Sequence, residues 1–445
     1  MLTLGCGRTK IGHDVFIEFS AVECHEDEFA FHPHTPPPMT SYKENTSSGA
    51  EQSSPYMLTS LLNAAHGMDH LFLLIFASAV SSIAMDFGFE HWEDLMPYGA
   101  WAFLMFGLGS IPSGRLGDLW GRRQMMLVFF FGMSCSAILC SLAQTVWQLA
   151  LGLILLGGFA SIYHPVGIPM LLEKTKNPGA TIGLNGLVGN LGVALAALLT
   201  GFLIKHMGWR AAFGVPAVIS ALCGVAFFYV CPREHEPPAK RTGGAQVTLS
   251  PKMLTRALVV MTAAAASSNV LFNVTTNGNA QLLQERFIGL IEDPSTLGIM
   301  LALVYTVSSL AQVVVGHWIA KLELKPFFLT MVCAQIPILL CASMAQGWWL
   351  LLCLLLLMIF IFGAVPFTDV LISRYVDDRL RSRVAGMRLG VSLALSSLGV
   401  WALGPVVKSL GFGNGLLILA LFSATTVSLL TLLPSSEDER ATLTA

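Results

Sequence analysis

The chain has 445 residues, of which 54% are hydrophobic and only 12% are charged. A typical soluble protein carries about a quarter charged residues, so this composition excludes a soluble globule and indicates a protein embedded in membrane lipid. The net charge of −2, with no segment dense in lysine or arginine, excludes the basic footprint of a nucleic-acid-binding protein.

The first predicted element is a polar tail that covers residues 1–56. It contains Pro36-Pro37-Pro38 and has no apolar run long enough for the core of a signal peptide. This composition is typical of a disordered segment, which we expect on the cytoplasmic side. Neither the tail nor the nine cysteines of the chain show the spacing of a zinc site or a disulfide framework, so no metal cofactor is predicted.

Apolar runs of about 20 residues, long enough to cross the hydrocarbon core, follow one another through the rest of the chain. They predict about twelve transmembrane helices. The spans are expected near 58–84, 96–114, 124–144, 147–172, 180–204, 209–231, 257–283, 296–320, 326–345, 348–375, 384–408 and 414–434. Basic residues fall in alternate loops, which places both termini in the cytoplasm.

The first span carries the densest set of polar residues, namely Asn63, His66, Asp69 and His70. Their spacing of three and four residues places them on one side of a helix. Ionisable groups at membrane depth are costly, so each is a candidate functional residue. Histidine titrates near neutral pH, and the cluster can therefore bind and release a proton during transport. The alternative interpretation is a structural cluster near the cytoplasmic end of the helix.

A charged segment of ten residues, Gly114 to Arg123, follows the second span. We expect it to form a tight hairpin in which glycines allow close packing and the acid and arginines form a cytoplasmic ionic latch. The ordered residues of this gate motif are Gly114, Asp118, Gly121, Arg122 and Arg123.

The fourth span contains Tyr163-His164-Pro165, in which the proline frees a backbone carbonyl and can kink the helix beside an imidazole. We predict that His164 joins the proton site and that Tyr163 lines the solute cavity. In the fifth span, glycines recur at every third residue from Gly183 to Gly192 and predict a packing surface on which the protein rocks. Asn190 lies beside them as a further cavity candidate.

A segment rich in proline, glycine and charge at 232–256 predicts a cytoplasmic linker between two six-helix bundles, 57–231 and 257–434, with a cytoplasmic tail at 435–445. The halves resemble each other. Gly183, Gly201, Lys205 and Gly208 recur at a constant offset of 203 residues as Gly386, Gly404, Lys408 and Gly411.

The second half offers its own candidates for contact with the solute. Asn269, Asn273 and Asn277 lie one turn apart, and their carboxamides would lack partners in hydrocarbon unless they lined water. Asp369 and Arg388 can pair with each other or with the adjacent loop, and Arg388 can equally be a snorkelling residue near the inner face.

The order Gly-x-x-x-Asp-x-x-Gly-Arg-Arg, complete at Gly114 to Arg123, resembles the signature of major facilitator superfamily transporters. The resemblance implies an all-α membrane fold of about twelve helices in two pseudo-symmetric six-helix bundles, with the solute site between the halves. The motifs around His66, His164 and Gly186 resemble the fosmidomycin-resistance branch of bacterial efflux proteins. Two positions depart from that branch, since Val166 replaces a glutamate and Asp69-His70 replaces an Asn-Asp pair.

The expected function is therefore secondary active transport, not an enzymatic reaction, with proton-coupled efflux of a small organic compound from a bacterial inner membrane. A monomer that needs no cofactor and binds a small-molecule substrate, H⁺ and membrane lipid is sufficient for this task. One alternative is transport of a metal ion or chelate through nitrogen and oxygen ligands in the first and fourth spans. Another is a membrane receptor that does not transport and signals through its tail.

Overall fold

The computed structural model describes residues 55–173, 175, 178–232, 251–319, 321–375 and 378–433. The predicted C-terminal tail, most of the linker and residues 1–54 of the N-terminal tail lie outside the described residues. All regular secondary structure in the described ranges is helical. The main helices are α1 (Pro55–Asp86), α2 (Ala100–Trp120), α3 (Arg122–Leu142), α4 (Val146–Ala160), α5 (Ile168–Leu172), α6 (Pro178–Met207), α7 (Trp209–Val230), α8 (Pro251–Arg286), α9 (Pro294–Ile319), α10 (Leu324–Cys333), α11 (Gln335–Met344), α12 (Gly347–Tyr375) and α13 (Asp378–Thr431).

Ten helical segments among the described residues are long and apolar enough to cross a membrane. One of them, Gly386–Thr431, has 46 residues, whereas about 20 suffice to cross the hydrocarbon core. Gly411 interrupts it with φ 78° and ψ 162°, so α13 consists of two spans, 378–410 and 412–431. With α13 counted as two spans, and with α2, whose charged end shortens its apolar part, the described residues contain twelve candidate helical spans, in agreement with the about twelve that the sequence predicts.

The glycine that divides α13 has its predicted counterpart in the first half. Gly208 separates α6 from α7 with φ 83°, and Gly411, 203 residues later, has φ 78°. Both lie in the left-handed region that glycine enters without steric cost. The internal repeat of the sequence is therefore reproduced in the backbone.

The segment that was expected to form a charged hairpin is almost entirely helical, which corrects the predicted end of the second span. Helix α2 continues through Gly114 and Gly117 to Trp120, and α3 begins at Arg122. Only Gly121 leaves the helix, with φ 96°. The physical reason is that one left-handed residue suffices to turn the chain between two helices.

The helices on the two sides of the linker pack along two seams. Helix α6 lies along α9, and α2 lies along the first part of α13. Within the first half, α1 packs against α6, while α3 packs against α7. Helix α8 begins at Pro251 and not near 257, so the last residues of the predicted linker are helical.

Candidate functional site

Helix α1 presents its predicted polar residues to α4 and α6. Asn63 is 8% exposed, His66 is 6% exposed and Asp69 is completely buried. His70, one turn beyond His66, is half-buried. The helical period predicts that these four residues share one face of α1. Their burial agrees with this prediction, because the four side chains point away from the lipid-facing side of the bundle.

The fourth span loses its α-helical geometry beside this face. A π-helical turn, Tyr163–Gly167, separates α4 from α5 and contains Pro165. Proline cannot donate the backbone hydrogen bond of a regular helix, and π-turns of this kind often occur at functional sites. The turn carries Tyr163 and His164 against α1, where the Tyr163 and His66 rings stack with centroids 4.8 Å apart.

His66 is held by contacts on both ring nitrogens. Its Nδ1 lies 2.7 Å from the backbone oxygen of Asn185 and donates to it. Its Nε2 therefore keeps a lone pair, which accepts a hydrogen bond from Nε2 of His70 at 3.2 Å. The carbonyl thus determines the tautomer of His66. Because the His70 proton already lies between the two Nε2 atoms, a further proton would bind Nδ1 of His70.

Asn185 of α6 is the centre of this hydrogen-bond network. Its side-chain Nδ2 donates to Oδ1 of Asn63 at 2.9 Å and to the hydroxyl oxygen of Tyr163 at 2.7 Å. Asn185 thereby joins α1, the π-turn and α6. Sequence reasoning assigned it no role, although its place inside the glycine-rich run was a usable signal.

Asp69 and His164 form the charged part of the site. Nε2 of His164 lies 3.5 Å from Oδ2 of Asp69. Within the described residues neither carboxylate oxygen of Asp69 has a hydrogen-bond partner. A buried ionised carboxylate is costly unless it is paired, so the stable forms are a protonated carboxyl or an ion pair with imidazolium. The ring of Phe106 packs against His164, with ring centroids 5.7 Å apart.

The glycines of α6 differ in their neighbours, which corrects the prediction of one common packing surface. A Cβ on Gly189 would lie 2.6 Å from the His66 ring, and one on Gly192 would lie 2.0 Å from the backbone oxygen of Gly67. Gly186 faces Gln312 of α9, and a Cβ on Gly183 would meet nothing within 4 Å. Positions three residues apart are rotated by about 60° on a helix, so the row winds around α6 from one neighbour to the next.

The gate motif packs directly behind the π-turn. A Cβ on Gly114 would lie 3.3 Å from Cβ of Pro165, and one on Gly117 would lie 2.9 Å from Cγ2 of Val166. These glycines therefore let α2 approach the segment that carries His164. The close packing expected of this motif is thus found, but between helices and not inside a loop.

The charges of the gate motif have different partners from those predicted. Asp118 is exposed and forms no ion pair with a described residue. Arg122 lies 3.9 Å from Glu173, while Arg123 donates to the backbone oxygens of Phe228 and Cys231 at 2.7 and 2.9 Å. Asp118 lies on α2 and both arginines lie at the start of α3, and the Asp118 latch stays a prediction.

The asparagines of α8 find partners on their own helix. Nδ2 of Asn273 donates to the backbone oxygen of Asn269 at 2.9 Å, and Nδ2 of Asn277 donates to the backbone oxygen of Asn273 at 2.8 Å. Contrary to the expectation from the sequence, these two Nδ2 groups do not need water, because helix carbonyls one turn earlier accept their hydrogen bonds. Oδ1 of Asn277 is buried and has no partner among the described residues.

The other residues predicted to line the solute cavity lie at separate positions in the chain. Asn190 is buried on α6, with no described partner for its Nδ2, and Arg388 is half-buried on α13. The side chain of Asp369 lies outside the described residues. Within the described part of the chain, the hydrogen bonds of the His66 network do not extend to the α8 asparagines.

The profile of the Major Facilitator Superfamily matches residues 62–287 of this chain. A similar protein is a probable actinorhodin transporter of Streptomyces coelicolor, which is 24% identical over 355 residues that cover 72% of this chain and 57% of that protein. Multidrug resistance protein MdtG of Dickeya zeae is 34% identical over 156 residues, which cover 33% of this chain and 37% of that protein. The chain thus matches 57% or less of the length of these two relatives.

A crystal structure of a bacterial homologue of the human lysosomal transporter Spinster, in an inward-facing and occupied conformation, has a similar fold. Its TM-score is 0.64 at 16% sequence identity, and the match covers 89% of this chain and 97% of that chain.

Proposed function

Because the chain belongs to the Major Facilitator Superfamily, we propose that it exports a small organic solute by alternating access and that protons drive this export. Transport across a membrane follows from membership of this family. A chemical reaction on the solute is not part of it. The names of the relatives, which include a probable antibiotic transporter and a multidrug resistance protein, support export of an organic compound.

The observation that carries proton coupling is the Asp69–His164 pair. Asp69 is fully buried and His164 lies 3.5 Å away with 21% of its side chain exposed, so the imidazole is the accessible member of the pair. A proton added here converts a costly buried carboxylate into a neutral group or an ion pair. We propose that Asp69 and His164 hold the transported proton and that His66 and His70 pass it along the face of α1.

The cavity residues are part of the same proposal. Asn63 and Tyr163 are joined through Asn185 to the proton site, so a solute that contacts either side chain can sense its protonation state. Asn190, Asn269, Asn273, Asn277, Asp369 and Arg388 are proposed as further contacts from the surrounding helices. The gate motif around Asp118 is proposed to close the cytoplasmic end.

The wider setting is proposed from the sequence. The alternation of basic and acidic loops supports cytoplasmic termini, and the bacterial relatives support an inner-membrane location. We propose that the protein works as a monomer, since its repeat supplies both halves of the transport path. We also propose that the chain is related to the fosmidomycin-resistance branch, because the motifs around His66 and His164 resemble those of that branch.

A transport assay tests this function. A bacterial strain that produces the chain is screened for altered drug tolerance, and the compound so identified is studied in proteoliposomes with an imposed pH gradient. One proton moving down one pH unit releases about 1.4 kcal/mol, which supports roughly tenfold accumulation of the compound. Accumulation that ignores the direction of the gradient would count against proton coupling.

A second candidate function is transport of a divalent transition metal. Ring nitrogens of His66, His70 and His164 lie within 4.8 Å of one another. The 3.2 Å separation between Nε2 of His66 and Nε2 of His70 suits two ligands about 2.1 Å from one ion. The hydrogen bond from Nδ1 of His66 to a carbonyl is the usual outer-shell support of a metal-binding histidine.

Direct binding separates the two candidates. If a metal is the cargo, the purified protein should bind zinc or manganese, and His66→Ala and His164→Ala should each weaken binding by about tenfold or more. His91→Ala, at an exposed histidine outside the cluster, is the matched control. Equilibrium dialysis with the metal alone measures the effect, and equal binding by all variants would remove the metal candidate.

A further inference from the structure

Two salt bridges join the first half of the chain to the second at one end of the helices. Nζ of Lys205, near the end of α6, lies 2.8 Å from Oδ1 of Asp293, just before α9. Nζ of Lys408, in the first part of α13, lies 2.7 Å from both carboxylate oxygens of Asp94, just before α2. Each lysine thus binds an acid that belongs to the other half.

The two lysines are equivalent positions of the internal repeat, since 203 residues separate Lys205 from Lys408. Each bridge is therefore the pseudo-symmetric counterpart of the other: a lysine from one half meets an acid from the opposite half. An arrangement that occurs twice under the same symmetry is a property of the interface and not a chance surface contact.

A close backbone contact accompanies each bridge one helical turn before the lysine. A Cβ on Gly201 would lie 2.5 Å from the backbone oxygen of Pro294, and one on Gly404 would lie 2.1 Å from that of Glu93. Gly201 and Gly404 are again 203 residues apart. Residues four apart share a face of a helix, so each glycine and its lysine act on the same partner segment. We call these two glycine–lysine contacts the clasps.

Only a small cavity remains beside the clasp of Lys205. Nε2 of Gln281 donates to the Ala77 oxygen at 2.6 Å, and Oγ of Ser81 donates to Oε1 of Gln284 at 3.3 Å, so α1 and α8 are joined as well. The remaining cavity between α1, α6, α8 and α9 has a volume of about 70 Å³. At this end, helices of the first half are therefore joined to helices of the second half beside the Lys205 bridge.

We propose that the two clasps are the gate that closes this end of the transport path and that both must open in every cycle. The proposal rests on the proposed function, because alternating access requires one end to open while the other closes. It adds four specific side chains, Lys205, Asp293, Asp94 and Lys408, to the residues that control the cycle.

The strength of the bridges suits a gate. The side chains of Lys205 and Asp293 are 44% and 34% exposed, and those of Lys408 and Asp94 are 44% and 43% exposed. Exposed ion pairs are weak and form and break easily. Lys205, with help from Thr296, lowers the pKa of Asp293 to about 2, so that bridge is complete near neutral pH and is lost only as the pH falls toward that value.

Cysteine accessibility tests the gate. Ser81→Cys places a thiol beside the closed cavity, and its reaction with a water-soluble maleimide is measured in the detergent-purified full chain, with the reaction of the parent cysteines subtracted. Lys205→Glu and Lys408→Glu should each accelerate labelling by about two- to fivefold, because each replaces attraction by repulsion. Lys205→Glu with Asp293→Lys, and Lys408→Glu with Asp94→Lys, should return labelling to the parent rate.

The control is Lys321→Glu, the same charge change at an exposed lysine beyond the opposite end of α9. Monodisperse elution establishes folding, and Lys205→Gln serves as the milder variant. Labelling that stays at the parent rate in the single variants, or stays fast in the double variants, overturns the proposal. The assay needs neither solute nor pH gradient, so an altered labelling rate without gradient-driven transport would refute the proposed function alone.

Discussion

Asp69→Asn should abolish accumulation driven by a pH gradient while the protein stays folded in the membrane. Asparagine keeps the shape of the buried side chain but cannot take up or release a proton. With the gradient of one pH unit described above, the accumulation ratio should fall from about ten to about one. Exchange of labelled for unlabelled solute needs no net proton movement and should continue, which distinguishes lost coupling from a collapsed site.

The matched control is Glu90→Gln, which removes one negative charge from an exposed position outside the site. It should leave the accumulation ratio unchanged. Thermal stability of Asp69→Asn should equal or exceed that of the parent, because a costly buried acid is removed and His164 can become neutral. Gradient-driven accumulation at the parental level in Asp69→Asn would refute the assignment of the proton to Asp69.

Gly192→Ala should cause the largest loss of stability among single substitutions in α6. The added methyl group would lie 2.0 Å from the backbone oxygen of Gly67 and within 2.9 Å of its Cα. Backbone atoms of a packed helix cannot move aside as a flexible side chain can, so we expect a cost of about 3 kcal/mol or more. Displacement of α1 would also separate His66 from the Asn185 carbonyl and reduce transport.

Gly183→Ala provides the same chemical change in the same helix without the clash. A Cβ at this position meets nothing within 4 Å, and alanine favours a helix over glycine by about 0.5–1 kcal/mol. The melting temperature in detergent, followed by the loss of monodisperse protein on heating, should therefore fall for Gly192→Ala and stay equal or rise for Gly183→Ala. Equal melting temperatures would show that α1 and α6 do not pack as described.

The α1 cluster illustrates what a single helix reveals about a site. Asn63, His66 and Asp69 share one face because the helical period requires it, and polar groups avoid lipid whatever their partners are. Their burial therefore agrees with the sequence analysis. The role of Asn185 was not predictable in this way, because its contact with His66 joins residues 119 positions apart.

The gate motif shows which contacts residue spacing cannot predict. The spacing of its glycines and charges indicated close packing and a turn, and both are present. The turn is one residue long, however, and the glycines contact Pro165 and Val166 of the π-turn. Spacing along one helix predicts which face of that helix carries a glycine. Which other helix packs against that face depends on the packing of the whole bundle.

The apolar spans, the internal repeat and the residues too polar for lipid can all be read along the chain, because the cost of placing polar groups in hydrocarbon acts on each segment independently. Which of these residues meet follows from the packing of the folded bundle. It joined His164 to Asp69, made Asn185 the centre of the network and paired each repeated lysine with an acid of the other half. Such contacts depend on the relative position of helices distant in the chain, and no local pattern of residues contains that information.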